Sequence, residues 1–216
     1  NVAPFELDGV RNLVTDNDLN TAGWYAMVRG RMTEINGKPI TDVQKDSHES
    51  FRRELNLSWT TVLPESNKVT KGQWWDTIDL DEFSAQSTAG EIIAPVSLED
   101  ELAGELGLVL GDRITFSVGG LRFEAEMVGT RSLNWDNMTP NFYFLFPEGL
   151  LEEYPRTSMT SLYIPPEKKL LVNDILRQFP TVQVIELDKI IDRIRTIVSQ
   201  VSRGLEVMTL LILGCG

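Results

Sequence analysis

The chain has almost none of the residues that most enzymes use for chemistry. Its single cysteine, Cys215, rules out an internal disulfide. Its single histidine, His48, joined only by that distant thiol, cannot build a histidine/cysteine zinc site. Neither G-x-x-x-x-G-K-[ST] nor G-x-G-x-x-G occurs, so the usual glycine-rich phosphate cradles are absent. No G-x-S-x-G elbow is present to hold a serine nucleophile. A Ser-His-Asp triad would have to run through His48, and the polar setting "DVQKDSHESFRRE" reads more simply as a solvated loop. Basic residues are also scarce: 20 Lys+Arg against 32 Asp+Glu give a net charge of −12, which argues against a nucleic-acid partner. Catalytic residues, nucleotide sites, metal sites and cofactors are therefore not expected.

What remains is an ordinary globular composition, 42% apolar and 24% charged, with enough length for a sizeable core. The opening "NVAPFELDG" is neither a signal peptide nor a start-methionine context, so the chain reads as an excised piece. Abundant carboxylates keep a carboxylate-based secreted hydrolase open as a reading, without a motif in its favour. A stand-alone extracytoplasmic binding module is a second alternative.

The order of segments predicts an α+β fold. "FELDGVRNLVTDNDLN" has helical apolar spacing, and "WYAMVRGRMTEING" follows as a strand closed by the Asn36–Gly37 turn signal. "NVAP" reads as the end of a preceding strand. The middle is β-rich, with runs "RELNLSWTTVL", "EIIAPVS" and a hairpin "ITFSVGGLRFEAEMV" through Gly119–Gly120. "PESNKVTKGQ" reads as a polar loop. "SLEDELAGELGL" is a short helix capped by Ser97 and ended by Gly107. After Pro147 the strand–helix–strand rhythm returns: "TSLYIPP", then "EKKLLVNDILRQF" with Leu170, Leu171, Ile175 and Leu176 inward, then "TVQVIEL". The expected organisation is one α/β unit from 1–37 and 148–190, interrupted by a β-rich insertion over 38–147, with a long closing helix over 188–216.

That closing segment carries the strongest pattern. Ile190, Ile191, Ile194, Ile197, Val198 and Val201 form an unbroken helical stripe, a stalk with one apolar face. From Leu205 the sequence turns apolar all round except Glu206 and Thr209. The block is shorter than the roughly 20 residues of a membrane span, and it reads as a helix entering a membrane, with the boundary near Glu206. Trp74 and Trp75 are adjacent, so in a strand at most one ring can face a core. In "RSLNWDNMTPNFYFLFP", the polar part reads as a loop crossing from the insertion to the α/β unit, and "FYFLF" as a strand buried on both faces. Trp135 on that loop, with Trp74 and Trp75, is a candidate contact for a partner or cargo.

"MVRGRMTEINGKPI", "GQWW", "LAGELGLVLGDRITFSVGG", "WDNMTPNFYFLFPEGLLEEYP" and "TSLYIPPE" together resemble the extracytoplasmic domain of MacB/FtsX-type ABC transporter permeases, closest to the YbbP-type branch. The resemblance spans nearly the whole chain. It implies an α/β "porter" part interrupted by a β-rich "sabre" part, on the periplasmic side of a bacterial inner membrane. It implies a cytoplasmic ABC ATPase as partner and a closing helix that continues into the membrane. It also implies that the domain is not an enzyme and couples ATP hydrolysis to export or periplasmic work by mechanical transmission, with a periplasmic protein or lipid-like substrate as cargo. The leading helix and first strands of such a domain are missing here.

Overall fold

A computed structural model of the chain describes residues 1–80, 83, 93–134, 139–187, 189, 193, 196 and 200. The fold is α+β. Contacts divide the chain into a first unit, Asn1–Val182, and a second, Gln183–Gly216.

The first unit is built on eleven strands: β1 Asn20–Thr21, β2 Tyr25–Ile35, β3 Lys38–Pro39, β4 Leu55–Trp59, β5 Asn67–Gly72, β6 Ile93–Glu99, β7 Arg113–Val118, β8 Leu121–Leu133, β9 Phe144–Phe146, β10 Arg156–Met159 and β11 Leu162–Tyr163. Among the described residues its helices include α1 Leu7–Asp16, α2 Asp42–Ser47, α3 Asp100–Leu106 and α4 Leu170–Gln178, with a 3-10 turn at Glu49–Phe51. Pairing runs β2–β4–β9–β6–β8, and β7 bridges β8 back to β2, so six strands close into a ring. Two of the ladders are parallel, β4 with β9 and β6 with β8.

Closure follows from side-chain alternation, because residues two apart on a strand share a face. Val28 and Met32 of β2, Leu55 and Leu57 of β4, Val96 and Leu98 of β6, Ile114 and Phe116 of β7, Phe123 and Met127 of β8, and Phe144 and Phe146 of β9 all enter one buried cluster. Phe116 touches three other rings there, with centroids 5.4 Å from Phe123, 5.5 Å from Phe144 and 5.9 Å from Phe146. Gly30 makes the crowding tolerable, since a Cβ there would come within 2.6 Å of Leu57 and 3.0 Å of Val118. Leu102, Leu106 and Phe51 complete the same cluster from α3 and the 3-10 turn.

Both turn signals hold. Asn36 and Gly37 have φ of 51° and 71°, and Gly119 and Gly120 have 58° and 88°, the left-handed pairs that a two-residue hairpin requires. Gly107 ends α3 at φ 68°. Ser97, however, is not the cap of that helix. It lies within β6, whose last residues pair with β8 and β9, so ladder hydrogen bonds hold Ser97 extended. Glu99 caps instead, its carboxylate accepting the Leu102 N–H at 2.6 Å. "PESNKVTKGQ" contains β5, which pairs with the far half of β8. Its apolar content is a single valine, the composition of a sheet edge.

A second apolar cluster lies between α1 and α4, where Val10, Val14, Ile175 and Val182 are buried with Leu171 and Phe179 packed against them. Leu170 and Leu176 do not face inward; they are exposed. At 100° per residue Leu171, Ile175 and Phe179 fall on one narrow face, and Leu170 and Leu176 lie well outside it. Val2 bridges Ser158 of β10, as the clipped strand predicted. "TVQVIEL" forms no strand among the described residues; its Val182 packs into the second cluster. In the second unit, residues 187, 189, 193, 196 and 200 are helical, and Lys189 pairs with Glu186 at 2.7 Å. The stalk residues Ile190, Ile194, Ile197 and Val201 lie outside the described residues, so the long closing helix is not established.

Candidate functional site

Trp74 and Trp75 are both buried, 6% and 5% exposed, with ring centroids 3.6 Å apart. The one-in, one-out expectation fails because the pair sits where a 3-10 turn begins, Trp75–Thr77, so strand alternation does not apply. With Met27, Phe142 and Leu145 they form a third cluster. Leu145 lies between Phe144 and Phe146, which enter the ring interior, so β9 is buried on both faces, but of the expected strand "FYFLF" Phe142 and Tyr143 lie outside it and Tyr143 is exposed. The Trp75 indole N–H donates to the Thr60 carbonyl at 2.9 Å, whereas the Trp74 N–H has no partner among the described residues.

Trp135 lies outside the described residues, but both ends of its loop are visible. The segment connects β8 to β9, two strands of the ring, and not the ring to the helical part. Asn134 N–H donates to Ser66 O at 3.0 Å, and the Asn141 amide donates to Asn134 O at 2.9 Å. Behind them lies Arg131, fully buried. Its guanidinium donates to Asn67 Oδ1 at 3.1 Å, Phe142 O at 2.5 Å and Tyr143 O at 3.1 Å, and its Nε has no partner among the described residues. Burial pushes its pKa down to about 9, against the opposing pull of the Glu99 carboxylate. A cation with few alternatives thus fixes the backbone that enters β9.

A concavity lies elsewhere, and sequence reasoning did not find it. A cleft of about 360 Å³ is lined by His48, Glu49, Ser50, Arg53, Glu99, Glu101, Leu102, Glu105 and Tyr143. Three separate stretches meet there: the 3-10 turn, the start of α3, and the residue before β9. The only local hints were a lone histidine and a carboxylate-dense "LEDELAGE". His48 is half-buried rather than solvated. Its Nδ1 accepts the Ser50 N–H at 3.1 Å, and its Nε2 faces Glu105 Oε2 at 3.1 Å. Among the described residues neither ring nitrogen meets a hydroxyl, the contact a serine triad would need. Tyr143 is held by its backbone, whose carbonyl accepts from Glu99 N at 2.9 Å and from Arg131. Among the described residues no three carboxylate, imidazole or thiol groups converge to hold a metal ion. The cleft is polar and mixed in charge.

No protein-family model matches the chain. Over all 216 residues it is 33% identical to a protein of Escherichia coli (strain K12) described as the uncharacterized ABC transporter permease YbbP. This chain is related to an ABC transporter permease. It spans about a quarter of that relative's length, 24%, so it corresponds to one permease-related segment. Among the described residues no helix is long and apolar enough to cross a membrane.

Proposed function

We propose that this permease-related chain is an extracytoplasmic domain of the MacB/FtsX type, held outside a bacterial inner membrane and driven by a cytoplasmic ATPase. The observation that carries this reading is the 33% identity over all 216 residues of the chain, which cover only 24% of a permease. The apolar clusters support the porter and sabre division: the cluster between α1 and α4 belongs to a porter-like part from 1–37 and 148–190, and five of the six ring strands lie in a sabre-like insertion over 38–147. The sixth ring strand, β2, comes from the porter-like part. The domain has no catalytic role in this reading. Its stalk, Ile190, Ile194, Ile197 and Val201, passes a helix displacement from the membrane near Glu206. Trp135 is the candidate contact for a periplasmic protein or lipid-like cargo, while Trp74 and Trp75, being buried, serve packing.

Two measurements on the full-length protein test it. Val43 on α2 is 79% exposed, so Val43→Cys should react with a membrane-impermeant maleimide in intact cells. Labelling only after lysis refutes the location. A flexible Gly-Ser insertion after Ser202 should leave ATPase turnover intact and abolish transport, because a soft linker cannot carry a helix displacement. Unchanged transport refutes mechanical transmission.

A further inference from the structure

We propose that His48 is a proton-operated release for the 3-10 turn Glu49–Phe51. The inference stands on the cleft geometry and not on the transport reading. A backbone N–H can only donate, so the Nδ1 that accepts from Ser50 N at 3.1 Å carries no hydrogen. The neutral ring therefore holds its hydrogen on Nε2 and donates it to Glu105 Oε2 at 3.1 Å. Both nitrogens are used, in opposite senses. His48 is the cap of the turn, and the amide it satisfies belongs to Ser50, which is 1% exposed. Phe51, next in the chain, is buried in the ring cluster.

Protonation changes the two contacts in opposite directions. It places a second N–H on Nδ1, which then faces the Ser50 N–H donor to donor, and the cap is lost. On the other side the imidazolium gains charge against Glu105. The further charged or titratable groups around the ring are Glu101 of α3, Glu99 at the end of β6, Glu49 and Arg53 of its own segment, and Tyr143. Arg53 is itself paired with Glu49 at 3.5 Å. The surroundings are net acidic, so the protonated ring stays with α3 while the turn is freed.

Amide hydrogen exchange on the 216-residue chain reads this directly. After correction for intrinsic rates, protection of the Ser50 amide should fall at least tenfold between about pH 8 and pH 5, across the imidazole range, while amides within β4 keep theirs. His48→Asn keeps a capping oxygen that does not titrate, so its Ser50 protection should be independent of pH. His48→Ala should lack that protection throughout. Ser50 protection that is flat in the native chain, or that falls equally in His48→Asn, overturns the proposal. Nitrogen NMR of the native ring gives a test that needs no variant: the hydrogen should sit on Nε2 at high pH, and finding it on Nδ1 overturns the proposal as well.

Discussion

Trp74→Phe and Trp75→Phe make the same change at adjacent positions in one buried cluster, and the structure gives them different costs. Each removes the pyrrole part of an indole that is about 95% buried, a loss of apolar burial and a small void together worth roughly 1–2 kcal/mol. The hydrogen-bond contribution then has opposite signs. Trp75 donates to Thr60 O at 2.9 Å, so its replacement leaves a carbonyl without that donor and adds roughly 1–3 kcal/mol. The Trp74 N–H has no partner among the described residues, so its removal relieves a desolvated donor and returns roughly 1–3 kcal/mol. The expected outcome is a Trp74→Phe variant between about 1 kcal/mol less stable and about 2 kcal/mol more stable than the native chain, and a Trp75→Phe variant less stable than the native chain by roughly 2–5 kcal/mol. Urea unfolding followed by circular dichroism measures this without using the altered fluorophores. With slopes of about 1–3 kcal/mol per molar, the two midpoints should differ by at least about 0.7 M at unchanged slope. Equal losses from both variants would refute the reasoning, because they would mean that the Trp74 N–H is satisfied in solution.

Phe116→Ala should cost about 3–5 kcal/mol, toward the upper end because the ring meets three other phenylalanines, and urea unfolding with an unchanged slope checks it. Gly129→Ala places a Cβ 2.4 Å from the Gln73 carbonyl and 3.2 Å from that of Lys71, both backbone atoms; the β5–β8 ladder must shift, with an expected loss of about 1–3 kcal/mol and faster amide exchange along β5. The Asp100 carboxyl is held below the usual carboxylate range, first by its hydrogen bond from Lys71, so its contribution is present above about pH 4 and is lost as pH falls through the lowered value. The pair is exposed, so Asp100→Asn should flatten the acid limb of a stability–pH profile by only a few tenths of a kcal/mol.

Local chemistry was legible in the sequence by itself. Asn36–Gly37 and Gly119–Gly120 fix their turns because they reach left-handed backbone cheaply, and Gly107 ends α3 for the same reason. The doubly buried β9 was readable because a continuous apolar run has no polar face to offer water. The α+β class followed from these same periodicities. Tertiary structure alone decided the rest. Nothing in "NKVTKG" asks for a strand; the free half of β8 supplies the ladder that makes one. Nothing in "TVQVIEL" forbids a strand, and without a neighbouring ladder its Val182 fills a gap between helices instead. Ser97 has the chemistry of a cap, but ladders on both sides hold it extended and leave that task to Glu99. The cleft is the extreme case, since His48, Glu105 and Tyr143 are brought together only when the strand ring closes. A residue's own propensity acts over three or four positions. A hydrogen-bond partner fifty or ninety residues away is chosen by which ladders the ring can close.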